Sequence, residues 1–271
     1  MSSAGPLPVL KGLLTSGDYS DLLLKVGDEE FHLHKAVVCP QSPVIAAAFR
    51  GNYKEANTDT FKVEGFDADT VRCMIDFMYT GRYDVESTLG SVSPDVQREH
   101  SPLAFPGLSP EHYERLSTTA SEPQSSAAQS ANQATLRLLR HVGMNAIADF
   151  YDIEQLRELA NSRIEAIFQE TAQADGFSIV AETVWSSTSD KKLYNLLTTV
   201  AAEHIDQLVK SKSFLNLEEV SDFSSGVFRA CAARIAELEK QLHCNSIPLD
   251  HNLIVAGIYE EEVEKPRPLL G

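Results

Sequence analysis

Cysteine is scarce in this sequence: four residues in 271, at Cys39, Cys73, Cys231 and Cys244, with no C-x-x-C pair. A disulfide framework or a cysteine-based zinc site needs clustering, so the scatter points to reduced thiols in a cytosolic or nuclear protein. Basic residues are also few. Lys+Arg total 23 against 39 Asp+Glu, a net charge of −16. That balance opposes direct contact with nucleic-acid phosphates and docking on an anionic leaflet. No apolar run approaches the ~20 residues needed to cross a bilayer. The start, Met1-Ser-Ser-Ala-Gly-Pro6, lacks the basic-then-apolar layout of a secretory signal, and no Asn-x-Ser/Thr acceptor occurs.

The motifs of catalysis are missing too. There is no Gly-x-Ser-x-Gly elbow, no Gly-rich loop ending in Gly-Lys-Ser/Thr, no Gly-x-Gly-x-x-Gly and no His-Glu-x-x-His. The abundant carboxylates fall mainly on solvated helix faces. His32 and His34 would project to one side of a strand, but no third ligand lies nearby, so they read as structural. The chain is therefore read as a non-enzyme without metal or cofactor. What is present is an ordinary globular composition, 43% hydrophobic and 23% charged.

Hydropathy patterning then orders the chain. Leu7, Leu10, Leu13 and Leu14 form a helical stripe. Ser20 to His34 reads as a hairpin turning at Gly27-Asp28, with Leu22, Leu24 and Val26 on one face and Phe31 and Leu33 aligned on the return strand. Ser42-Pro43 is an N-cap followed by proline at the first helical position. Val44, Ile45, Ala48 and Phe49 make the stripe of that helix, which Gly51 ends. Thr60–Glu64 alternates as a strand. A helix starting at Asp67 or Asp69 carries Val71, Met74, Ile75 and Met78 at helical spacing, stops at Thr80-Gly81, and leads into a possible short strand at Arg82–Val85.

Composition changes at about residue 86. From 86 to 133 the chain is about one-third Ser plus Pro, with no apolar period, and reads as disorder or a long loop. Its Ser-Pro steps at Ser93, Ser101 and Ser109 suit proline-directed kinases, although Ser and Pro are simply abundant there. Helical periodicity resumes at Leu136 and runs through Tyr151, then from Leu156 to Phe168. Three further helices carry Phe177 to Val184, Leu193 to Leu208, and Val227, Phe228, Cys231, Ile235, Leu238 and Leu242. Trp185, the only tryptophan, is a partner anchor or, more commonly, a helix-buried aromatic. Residues 244–271 form an acidic, mostly unstructured tail.

Five segments in this order resemble the BTB/POZ domain, in the form met in fungal BTB proteins. They are Ser20-Asp-Leu-Leu-Leu-Lys-Val26, Phe31-His-Leu-His-Lys35, Ser42 with Phe49, Phe77-Met-Tyr-Thr-Gly81, and Leu138 to Ala160. The resemblance implies an α+β fold, a small sheet with flanking helices, over residues 1–170, interrupted by the 86–133 insert. A BACK-like helical extension is implied over 171–243. Relatives usually make the interrupted connection short; a loop this long costs the core only ~1–2 kcal/mol in closure entropy.

The resemblance also implies roles. Leu7, Leu10, Leu13 and Leu14 would bury their stripe in a two-fold homodimer, or else on their own domain. Asp21 would lie at that interface, paired with His34 or Lys35; the plainer reading is a turn or helix-cap carboxylate. Tyr53-Lys54-Glu55 matches the hydrophobic-x-Glu pattern by which BTB adaptors engage the cullin-3 ubiquitin-ligase scaffold, and Phe150, Tyr151 and Asp152 would lie near the same surface. No kelch-like period, MATH module or zinc finger follows in this sequence. The function implied is a dimeric interaction module serving as a cullin-3-type substrate adaptor, with an unknown protein substrate. The alternative is a BTB scaffold in transcriptional or chromatin assemblies without ligase linkage.

Overall fold

The computed structural model describes residues 6–51, 53–85, 126–170, 174–211, 214, 224 and 226–242. The first of its elements is α1, Pro6–Ser16. Strands β1 (Leu22–Val26) and β2 (Glu29–Leu33) follow as an antiparallel hairpin around Gly27-Asp28, with Leu24 opposite Phe31. Gly27 sits at φ 55°, the left-handed region the tight turn requires. After the short helices α2 (Lys35–Val38), α3 (Pro43–Ala48) and α4 (Lys54–Thr58), strand β3 (Thr60–Val63) returns parallel to β1. The sheet order is β2-β1-β3, so β1 is central.

Local chemistry sets these boundaries. The Ser42 hydroxyl accepts the Ile45 N–H at 3.1 Å and so caps α3. Asp67 caps α5 (Ala68–Thr80) by accepting the Thr70 N–H at 2.9 Å, and Gly81 ends that helix at φ 70°. The alternation of β1 buries Leu22, Leu24 and Val26, which meet Val71, Met74, Ile75 and Met78 of α5 in one core. Val44, expected in the α3 stripe, is instead exposed, and Ile45 with Ala46 fills the core. The helix has only six residues and turns one narrow face inward.

Arg82–Val85 is not a strand. Tyr83 and Val85 are buried, but the Tyr83 carbonyl accepts a hydrogen bond from Arg163 at 2.8 Å rather than from a neighbouring strand. Helical packing thus takes the backbone group that a fourth strand would have used.

Two long helices follow, α6 (Ser126–Phe150) and α7 (Glu154–Glu170). The start of α6 lies inside the stretch read from sequence as loop. Its Ser126-Ala-Ala-Gln-Ser-Ala-Asn-Gln-Ala134 run is alanine-rich and free of proline, which favours helix even without an apolar stripe. Met144, Ile147, Ala148, Tyr151, Ile153, Leu156 and Ala160 of these helices join the sheet core across the interruption. The opposite halves, with Leu138, Leu139, Val142, Ile164, Ile167 and Phe168, enter a second, all-helical core.

That second core is completed by α8 (Ala174–Ser187), α9 (Lys191–Glu203) and α10 (Ile205–Leu208). The sequence pattern ran α9 and α10 together. The backbone leaves the helix at His204 (φ −113°, ψ 20°), which turns Leu208 into the core. A last helix, α11, covers 226–242. Only Val227 is buried and only Cys231 is half-buried against the core; Phe228, Ile235, Leu238 and Leu242 are exposed. The stripe read from the sequence is thus mostly exposed, because among the described residues no element packs over it. The tail at 244–271 lies outside the described residues. Among those described, no helix is long and apolar enough to cross a membrane.

Candidate functional site

The hydrophobic-x-Glu segment is carried on α4. Tyr53 is its N-cap residue, held in extended backbone, and its side chain is 62% exposed. Glu55 lies in the first turn, where a carboxylate also favours the positive end of the helix dipole. The αL cap at Asp59 (φ 52°) closes the helix. Asp59 also forms an ion pair with Lys35, whose ammonium lies 4.9 Å from the Phe49 ring centroid.

Phe49 begins a chain of aromatic contacts leading to the turn between α6 and α7. Phe49 meets Phe61 at 6.2 Å between centroids, and Phe61 meets Tyr151 edge-on at 5.9 Å. Phe66 touches Phe150 at 5.7 Å and Tyr151 at 6.2 Å, and Phe150 stands edge-on to Tyr151 at 5.0 Å. Such edge-to-face pairs fix ring orientation beyond what area burial gives. Ser42 adds a polar tie by donating its hydroxyl to the Tyr151 carbonyl at 2.6 Å.

Within the turn the three residues diverge. Tyr151 is buried; burial, reinforced by the Glu64 carboxylate, pushes its phenol up to about 12. Phe150 is 61% exposed, and Asp152 is exposed at φ 53°. Of Phe150, Tyr151 and Asp152, two can therefore meet a partner, and Tyr151 is the wedge beneath them. Phe66 escaped the sequence reading. Its only signal was an aromatic just before an N-cap, where it ordinarily serves as a helix staple.

Of the residues assigned to a dimer face, Leu10, Leu14, Asp21, His34 and Lys35 have partners within the chain. In α1, Leu10 and Leu14 pack against the sheet core and Leu13 is half-buried; the Leu7 side chain lies outside the described residues. Asp21 does not pair with the side chain of His34 or Lys35. Its carboxylate accepts the Lys35 backbone N–H at 2.7 Å, capping α2 from the residue just before β1, while the Lys35 amine goes to Asp59. This is the helix-cap reading of Asp21.

His34 is buried and saturated. Its Nε2 lies 2.7 Å from the Asp18 carbonyl, which can only accept, so Nε2 carries the proton and Nδ1 accepts from the Tyr79 hydroxyl at 2.8 Å. The same hydroxyl accepts the His34 backbone N–H at 2.9 Å. Burial raises the Tyr79 phenol to about 12. His32 is exposed, and no metal-holding group of His, Cys, Asp or Glu occurs among the described residues.

A buried polar network lies where the two cores meet. Asn145 donates to Asn161 at 2.8 Å and to Asp190 at 2.9 Å, and Asn161 donates to the same Asp190 oxygen at 2.8 Å. Burial would raise the Asp190 carboxyl, but the two amides, the Lys192 N–H and the Arg157 charge hold it below the usual range. Nearby, the Tyr83 hydroxyl meets His141 Nδ1 at 2.9 Å, and Arg163 lies over the Tyr83 ring at 4.0 Å. Burial, with the Arg163 and Arg137 charges, lowers the His141 imidazole to about 4. A cavity of about 230 Å³ opens beside His141, bordered by Arg137, Arg163, Ile167 and Glu170.

Trp185 is half-buried and stacked on Tyr194 at 4.5 Å, beside a cavity of about 430 Å³ bordered by Thr198, Gly226 and Arg229. Cys39, Cys73 and Cys231 are free thiols; burial pushes the Cys73 thiol up to about 12. Ser93, Ser101 and Ser109 lie outside the described residues, as does Cys244.

Comparison with known proteins adds a family. Residues 10–96 match the BTB/POZ domain. The chain is 34% identical over 84 residues to Kelch-like protein 26 of Mus musculus, covering 31% of this chain and 14% of that protein. It is 31% identical over 75 residues to Kelch-like protein 28 of Homo sapiens, 27% of this chain and 13% of that protein. A longer alignment, 24% identical over 159 residues, joins it to Kelch-like protein 38 of Danio rerio, covering 59% of this chain and 24% of the relative. The matches thus span from about a seventh to a quarter of the length of these relatives.

Proposed function

We propose, for a chain that carries a BTB/POZ domain at residues 10–96 followed by a helical extension, that it is a non-catalytic adaptor presenting protein substrates to a cullin-3-type ubiquitin ligase. The scaffold docks on the edge formed by Tyr53, Glu55, Phe150 and Asp152. The observation that carries this reading is the aromatic chain Phe49–Phe61–Tyr151–Phe150. It ties the α3–α4 segment to a turn about 100 residues away and leaves Tyr53 and Phe150 both more than 60% exposed. Two exposed aromatics with flanking carboxylates are the composition of an interface hot spot with a polar rim. The likeness to Kelch-like proteins supports the same reading.

In the proposed complex Tyr53 and Phe150 anchor, while Glu55 and Asp152 supply charge at the rim. Tyr151 takes no direct part and sets the height of Phe150. The adaptor works as a homodimer through the α1 region (Leu7, Leu10, Leu13, Leu14), with Asp21, His34 and Lys35 fixing the α2 end of that region. The Ser93, Ser101 and Ser109 steps are modification sites, and the protein acts in the cytoplasm or nucleus without binding nucleic acid directly.

The test is co-precipitation of a cullin-3-type scaffold with the full chain. The double change Tyr53→Ala, Glu55→Ala abolishes recovery, and Phe150→Ala weakens it about tenfold or more, as expected for a hot-spot aromatic. Both variants stay folded, with a midpoint lowered by no more than a few degrees, because none of the three side chains is buried. Undiminished recovery with the double variant overturns the assignment.

A further inference from the structure

Helix α11 leaves the body of the protein soon after it starts. Val227 is buried and Cys231 half-buried against the second core, whereas every residue from Ala232 to Leu242 is exposed. A lone helical stretch of this length is marginal in water. Its large apolar residues nevertheless fall on one line: Phe228 is 74% exposed, Ile235 57%, Leu238 46% and Leu242 71%. With Cys231 the spacing is three, four, three, four, the a/d seam of a coiled coil. Phe228, Ile235 and Leu242 take position a, and Cys231 and Leu238 take d.

The charges beside the seam say what covers it. In this register Arg234 is a g residue and Glu239 the e residue five positions on. In a parallel two-stranded coil, g of one helix faces e of the next heptad on the other. A second copy of the same helix therefore brings each Arg234 against the partner copy's equivalent glutamate, twice by symmetry. An antiparallel pair would set arginine against arginine and glutamate against glutamate. Arg234 contacts Glu203 of its own chain only at 3.9 Å, with both side chains about half exposed, a weak surface pair that a closer glutamate displaces.

We propose that α11 is a homotypic docking element, a short parallel two-stranded coiled coil formed with α11 of a second copy. It is separate from the α1 contact and from the α4 edge, and lies at the opposite, helical part of the chain. Phe228 to Leu242 span about two heptads, so the element reinforces association and fixes the relative direction of two helical extensions. Its surface is self-complementary and closes a pair rather than extending a filament.

Leu238→Cys, in the full chain with Cys39, Cys231 and Cys244 changed to serine, reports on this helix alone; buried Cys73 stays. Paired d positions lie within disulfide reach only in the parallel, in-register arrangement. Mild oxidation is expected to give an interchain disulfide on a non-reducing gel. Adding Ile235→Glu or Arg234→Glu abolishes it, and Arg234→Glu with Glu239→Arg restores it. Arg234, Ile235, Leu238 and Glu239 are exposed, and unchanged Trp185 fluorescence unfolding verifies the fold of every variant, the serine background included. The proposal is overturned if no crosslink forms, if the crosslink survives Ile235→Glu, or if the paired charge swap fails to restore it.

Discussion

The sheet core and the helical core are filled by the two halves of the same helix pair, yet they are fastened differently. In the first, single polar atoms bridge long sequence separations: His34 to Tyr79, and Ser42 to the Tyr151 carbonyl. Each bond satisfies a backbone or ring group that burial would otherwise leave costly. In the second, helices pack on helices, and polar bonding concentrates at the border in the Asn145–Asn161–Asp190 network. The contrast teaches where recognition can sit. The sheet core offers a rim of edge-on and tilted aromatics, whereas the helical core ends in a helix whose apolar line no described residue covers.

The largest test asks whether the two cores are one cooperative unit. Ile147→Ala hollows the sheet core at a fully buried position and should cost about 3–4 kcal/mol. Trp185 sits in the helical region, so its fluorescence follows that core alone. In urea unfolding, its transition should move together with the far-UV circular dichroism signal, because α6 and α7 run through both cores. A Trp185 midpoint that stays put while the dichroism splits in two would break the comparison.

The second test uses pH at the border. His141 titrates at about 4 in the folded chain against an ordinary 6.5. The unfolded chain therefore binds more protons between those values, and the folded state loses stability as pH falls through that window. The loss reaches up to about 3 kcal/mol, since one pKa unit is worth about 1.4 kcal/mol. His141→Gln should flatten the stability profile between pH 6.5 and 4, read by urea midpoints at each pH.

The smallest effect sharpens the link between fastening and function. Ser42→Ala removes the α3 cap and leaves the Tyr151 carbonyl without its donor, at a cost of about 1–2 kcal/mol. Because that carbonyl positions the Phe150 turn, scaffold recovery should weaken in a variant that remains folded at room temperature. Unaltered recovery would show that the turn is held by its rings alone.

The hairpin, the Ser42 and Asp67 caps and the Gly81 stop were legible because each depends on neighbours a few residues away. Period-two burial along Leu22, Leu24 and Val26 likewise needs only one face to be covered. Arg82–Val85 misled for the opposite reason: its alternation was real, but Arg163, 80 residues on, took the Tyr83 carbonyl. The α11 helix was legible but its exposure was not, since helical periodicity shows that a face is apolar without showing what lies against it. For the candidate surface, Tyr53 to Glu55 and the Phe150 turn could each be picked out; Phe66 and the inward aim of Tyr151 could not.

By itself, then, the amino-acid order determined the local elements, the family likeness and the exclusion of membrane-spanning helical runs and familiar catalytic motifs, since these rest on composition, short-range periodicity and capping. Tertiary structure decided which apolar faces were covered, how α6 and α7 were shared between two cores, and that Phe150 faces outward while Tyr151 faces inward. Those outcomes depend on side chains about a hundred residues apart competing for the same buried space, and close packing resolves that competition only once the chain is folded.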